Sequence, residues 1–132
     1  MLVKIALVAF GSMLGGLSRW GVGLAFDRCV GTWLPWGTFF INVSGSLFLG
    51  WFATVLSERL PADGLSWITR DNLRLLVAVG FTGTYTTFST FELEAYKQLA
   101  DQENMKAFLY LFGSLFVGLA AVFLGVKLAK MG

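Results

Sequence analysis

The sequence predicts an all-α membrane protein: four transmembrane helices per chain, the third broken mid-membrane. Three observations carry that expectation. Hydrophobic residues make up 56% of the 132 positions and charged residues 14%, with a mean hydropathy of +0.71. A soluble domain carries about 25% charged residues, and a chain this short cannot bury so much apolar surface in one aqueous core. Four apolar stretches reach the ~20 residues that a helix needs to cross a bilayer. Inside the third lies "GFTGTYTTFSTFELE", residues 80–94, with five threonines and two glycines where a lipid-facing helix would be apolar.

The first span runs over about 3–26. Its apolar run contains Arg19 and lacks a small-residue cleavage site, so it reads as a retained helix and not a signal peptide. Arg19 deep in this span costs roughly 2.5–3.5 kcal/mol on insertion scales. It either snorkels to the interface or supplies a fixed positive charge at a vestibule or in assembly. The second span, about 36–56, follows the turn residues Gly31 and Pro35 and carries Asn42, an amide with donors and an acceptor. Pro61 and Gly64 mark a loop, and Trp67 and Ile68 suit an interfacial segment.

The third span covers about 73–99. Gly80, Gly83 and the β-branched threonines 82, 84, 86, 87 and 90 weaken its helix. A break within the membrane survives only where protein or a water-filled cavity satisfies the freed backbone. The half-helix ends then offer N–H groups to anions and carbonyls to cations. Phe88 and Phe91 share a face beyond the break, with Ser89 and Thr90 between them. They are either packing residues or rings whose positive edges meet an anion. Glu94, one turn after Thr90, can accept a hydrogen bond from it. The fourth span covers about 105–128. No linker is long enough for a second domain, so 1–132 reads as one four-helix unit.

Small and polar residues recur at four-residue spacing: Gly11, Gly15, Arg19 and Gly23; Asn42, Ser46 and Gly50; Tyr110, Ser114 and Gly118. Such stripes bring membrane helices close, within a chain or between chains. Four helices leave little room for a path down their own middle, which favours an oligomer. Six Lys and Arg residues (4, 59, 70, 74, 127, 130) fall on the face with the termini and three (28, 97, 106) on the other. That bias is faint enough for insertion both ways up.

Several classes are disfavoured. Histidine is absent and cysteine occurs once, so no base–nucleophile arrangement or CxxC metal site is visible. A net charge of +2 gives no reason to expect nucleic acid, and no protein partner other than a second copy is implied. No GxxxxGK[ST] loop is present, so any flux is expected to be downhill.

These residues carry a resemblance. "GGLSRW" at 15–20, "PWGTFFINVSGS" at 35–46, "GFTGTYTTFSTF" at 80–91 and the pair Tyr110 and Ser114 touch all four spans in order. In them the chain resembles the Fluc (CrcB-type) fluoride channels, small bacterial membrane proteins. The resemblance implies an antiparallel, dual-topology homodimer in the bacterial inner membrane, with two pores that pass fluoride passively out of the cell. It implies pore-lining roles for Asn42, Phe88 and Phe91, and a polar track of Ser89, Thr90, Tyr110 and Ser114. It also implies a structural sodium ion at the dimer interface, held by backbone carbonyls of Gly83 and Thr86. Two positions depart from the family pattern: Thr84 stands where a second glycine is frequent, and Gly118 where a small polar residue is frequent. The alternative is a small dual-topology, proton-coupled multidrug exporter. Such an exporter resembles the chain in size but needs a carboxylate in its first helix, and none precedes Asp27.

Overall fold

The computed structural model describes residues 1–31, 33–61 and 69–132. The expectations at Gly64, Trp67 and Ile68 lie outside the described residues. Helix α1 is Leu2–Cys29, α2 Trp36–Glu58 and α6 Asn104–Met131. Each of the three is long and apolar enough to cross a membrane. The remaining helical course is built from pieces: α3 (Arg70–Leu73), a π-helical segment (Arg74–Thr82), α4 (Gly83–Tyr85) and α5 (Phe88–Ala100). Among the described residues there is no strand.

Between α4 and α5 the backbone leaves the helix. Thr86 (φ −79°, ψ 159°) and Thr87 (φ −148°, ψ 120°) are extended. Thr87 then caps α5: its Oγ1 accepts from the Thr90 N–H at 3.3 Å and donates to Thr90 Oγ1 at 2.9 Å. The glycines do not make this interruption. Gly83 keeps a helical φ of −62°, and Gly80 lies within the π-helical segment. There its missing Cβ lets α1 approach, with Val8 O 2.9 Å and Gly11 Cα 3.0 Å from where that Cβ would stand.

The glycine stripes are used largely inside the chain. A Cβ on Gly11 would collide with Leu76 O, and one on Gly15 with Phe81 O and Thr84 Oγ1. On α2 and α6, a Cβ on Gly50 would lie 2.5 Å from Val122 O, and one on Gly125 2.8 Å from Trp51 N. α1 therefore packs on the π-helical segment and α2 on α6 through backbone contact. A Cβ on Gly23 would meet nothing within 4 Å.

Few side chains are buried: Ile41, Leu56, Ala95, Ala107, Tyr110, Ala121 and Ala129 form the apolar core. Large apolar residues such as Phe108, Phe116, Phe123 and Leu128 face outward, the inverse of a soluble domain and the distribution that lipid favours. Aromatic contacts tie α2 to the broken course: Phe48 meets Phe81 edge-on at 6.1 Å, and Phe81 stacks on Tyr85 at 5.8 Å.

Several charged groups are paired at the end that holds the termini. Lys4 pairs with Asp71 at 2.5 Å and Arg74 reaches the same carboxylate at 3.4 Å. The Lys4 ammonium holds the Asp71 carboxyl below its ordinary range. Arg59 donates to Ala129 O, Arg70 to Leu60 O, and Lys130 lies 3.6 Å from Glu58. At the other end α5 stops in a Schellman motif. Gln102 N–H donates to Leu99 O at 3.1 Å and Glu103 N–H to Gln98 O at 2.8 Å. Gln102 holds the left-handed position, φ 62°.

Candidate functional site

Interrupting a helix strands backbone groups, and the site begins with what Asn42 does about that. Its Oδ1 accepts from the Thr87 N–H at 2.8 Å, and its Nδ2 donates to Thr87 O at 2.9 Å. The two backbone partners fix the orientation of the amide, because only oxygen can accept and only nitrogen can donate here. In a continuous α-helix the Thr87 N–H would bond Gly83 O. It is taken by Asn42, which releases the Gly83 carbonyl.

Two clefts meet at this clamp. The larger, about 590 Å³, is lined by Arg19, Thr38, Thr87, Thr90, Glu94 and Gln98 among others. The smaller, about 270 Å³, is lined by Asn42, Ser46, Gly83, Thr86, Thr87 and Phe88 among others. Thr87 borders both. Arg19 reaches across from α1, its Nη1 3.4 Å from Thr86 O. Its charge therefore sits beside the break.

Glu94 is the residue whose role the sequence leaves most open. It does not bond Thr90, whose hydroxyl oxygen accepts from Thr87. Thr38 donates to Glu94 Oε1 at 2.8 Å and Tyr110 to Oε2 at 2.7 Å. These bonds to a charged acceptor join α2, α5 and α6 at one carboxylate and offset its cost among apolar helices. Tyr110 is 2% exposed and its ring lies 5.1 Å from that of Phe91. Phe91 in turn is 6.1 Å from Phe88, tilted by 46°. Phe88 is 74% exposed, so core packing within the chain is not its role.

The predicted residues therefore fall into connected groups. Asn42 and Phe88 share the smaller cleft with Gly83 and Thr86, while Thr90 and Arg19 share the larger one with Glu94. Tyr110 joins the group through Glu94. Ser114 Oγ is buried with no hydrogen-bond partner. Ser89 is exposed, and its side chain makes no hydrogen bond among the described residues. Sequence reasoning missed Thr38 as a partner. Its position four residues before Asn42, on the same face of α2, was the available signal.

The departures have local partners. Thr84 Oγ1 donates to Gly80 O at 2.7 Å, with Ser12 O of α1 3.1 Å away. A Cβ on Gly118 would come no closer to Ser46 Oγ than 3.9 Å. The hydroxyl missing from α6 at this level is thus present on α2.

Removing the Tyr110 hydroxyl tests the carboxylate cluster. Tyr110→Phe leaves Glu94 Oε2 without its protein donor, the loss of a hydrogen bond to a charged group worth ~1.5–3 kcal/mol. The expected result is a fall in the thermal midpoint in detergent, with Thr38→Val lowering it by a similar amount. Unchanged midpoints in both would show that the two bonds are not holding the three helices together.

Three apolar helices long enough to span a bilayer, with a polar, interrupted helical course packed among them, define an integral membrane protein. The chain belongs to the CrcB-like family: the family model described as "CrcB-like protein, Camphor Resistance (CrcB)" matches residues 6–126. It is 42% identical over 125 residues to the fluoride-specific ion channel FluC of Thermus thermophilus, covering 95% of this chain and 94% of that one. It is 41% identical over 124 residues to FluC of Hyphomonas neptunium, covering 94% and 93%. With FluC of Nitrobacter winogradskyi it shares 36% identity over 127 residues, 96% and 95% of the two chains.

Proposed function

We propose that the chain is a fluoride-selective channel that lets fluoride leave the cell down its electrochemical gradient. The observation that carries this reading is near-full-length similarity to relatives named fluoride-specific ion channels, at 35–42% identity. It is a conduit and not an enzyme. The exporter alternative has no support in these relatives, and α1 has no carboxylate ahead of Asp27 to carry a proton.

The chemistry fits the ion. Fluoride is small and strongly hydrated, so a path must replace water with close donors while binding it nowhere too tightly. Asn42 spends one N–H on Thr87 O and keeps a second. Ser89, Thr90 and Ser114 are neutral hydroxyl donors, Tyr110 borders them with its one hydroxyl proton held by Glu94, and the edges of Phe88 and Phe91 add weak positive potential. The start of α5 presents the positive end of its dipole at the interruption, with Phe88, Ser89 and Thr90 exposed. Arg19 concentrates anions at the larger cleft.

In this reading the helical pieces over about 73–99 form a further, broken span, and two copies pack antiparallel in a bacterial inner membrane, giving two paths. The outward Phe88 then meets the second copy. A sodium ion at the dimer centre would be held by Gly83 and Thr86 carbonyls, and it would brace the breaks and offset the charge of a passing anion. The residues suit it: Gly83 O is released from helical bonding, and both residues border the smaller cleft. The Arg19 contact to Thr86 O, at 3.4 Å, is long enough to yield.

The test is release of fluoride and of chloride from liposomes holding the purified protein, with voltage clamped by a potassium ionophore. Fast fluoride release with little chloride release is expected, and Phe88→Ile and Phe91→Ile should slow it. No fluoride release above protein-free liposomes, from a folded dimeric preparation, sinks the reading.

A further inference from the structure

Two buried side-chain polar atoms have no hydrogen-bond partner among the described residues: Ser114 Oγ and Gln98 Oε1. Ser114 already belongs to the polar track. Gln98 does not, and nothing in its sequence context marks it. A buried polar atom left without a partner is costly, and native folds rarely keep one without a use.

Three observations place Gln98 on the same line. It follows Glu94 by one helical turn on α5, so the two side chains share a face. It lines the larger cleft together with Arg19, Thr90 and Glu94. Its backbone is fixed, because Gln98 O accepts from the Glu103 N–H in the motif that ends α5. A frozen backbone and an uncommitted amide make a station and not a loose surface side chain.

We propose that Gln98 is the outermost protein group of the ion path on the α5 side, where fluoride exchanges its water for protein contacts. The inference rests on the fluoride-channel reading above. Both Glu94 oxygens are already occupied by donors, and their negative charge repels an anion in the cleft. A terminal amide is neutral and bifunctional. Rotation about its last bond turns N–H donors or the carbonyl toward the cleft. The amide can donate to fluoride while its oxygen accepts from a water that fluoride retains. Ser114, Tyr110–Glu94 and Gln98 then lie in sequence along α5 and α6.

The experiment is single-channel recording of fluoride current in planar bilayers for the wild type, Gln98→Leu, Gln98→Asn and Gln98→Glu. Unitary current reports the path and is independent of how much protein folds, so a merely structural role would not move it. Gln98→Leu keeps the volume and removes donor and acceptor, and its unitary current should drop about fivefold or more. Gln98→Glu sets two carboxylates one turn apart and should suppress the current further. Gln98→Asn should retain part of it and serves if the leucine variant fails to fold. Wild-type unitary currents in the leucine and glutamate variants overturn the proposal while leaving the channel reading intact. A wild-type protein without fluoride current overturns both.

Discussion

Asn42→Leu is expected to abolish fluoride flux and to destabilise the protein. The substitution strands the Thr87 N–H and C=O together, since both now bond the Asn42 amide at 2.8 and 2.9 Å. Each stranded backbone group costs about 1–3 kcal/mol, so the sum is ~2–6 kcal/mol unless the chain rearranges. The cheapest rearrangement extends α4 toward α5, returning the Thr87 N–H to Gly83 O and closing the interruption. Either outcome removes the geometry on which the two clefts converge. Asn42→Asp separates the two bonds. The carboxylate still accepts from the Thr87 N–H, but it faces the Thr87 carbonyl and puts a full negative charge in an anion's way. Fluoride efflux should therefore be lost with the fold retained. Thermal midpoint and efflux rate are measured together. A leucine variant with wild-type values in both would show that the clamp is dispensable.

The second large effect is at the α1 crossing. A Cβ at Gly15 has no room against Phe81 O and Thr84 Oγ1, and the nearest of these is backbone, which cannot rotate away. Gly15→Ala must push α1 off the π-helical segment. Overpacking of this kind costs ~1–3 kcal/mol, and more where backbone meets backbone. Gly16 is the internal control, since a Cβ there meets nothing within 4 Å in the chain. Gly16→Ala should be neutral or better, because alanine is favoured over glycine in a helix by about 1 kcal/mol. The measurement is the fraction of protein that elutes as a monodisperse species in detergent after heating. Equal survival of the two variants would mean that α1 does not approach the π-helical segment as closely as the structure has it.

The limits of sequence reasoning show at particular residues. The three long apolar helices were legible because twenty apolar residues in a row admit one economical structure in a bilayer. The family was legible from four motifs in order. The place of the interruption was not. Glycines 80 and 83 are the weak helix formers, yet both are helical, and two threonines beyond them are extended. Intrinsic propensity favours no one threonine, and the partner that stabilises Thr87 lies 45 residues away on α2. The glycine stripes were ambiguous for the same reason: a small residue says that something comes close, not what. Only the packing assigns Gly11 and Gly15 to the π-helical segment and Gly50 to α6.

Glu94 marks the division most sharply. Local spacing pointed to Thr90, but the two carboxylate oxygens are met by Thr38 and Tyr110, which arrive from two other helices. The sequence by itself determined that this protein lives in a membrane, which stretches are apolar enough to span it, and which expensive polar residues need a reason to be there. Those are one-dimensional properties, fixed by transfer free energies and spacing. Which polar group satisfies which was decided by the tertiary structure alone. A buried donor and its acceptor must meet within about 3 Å, and only the folded chain sets those distances.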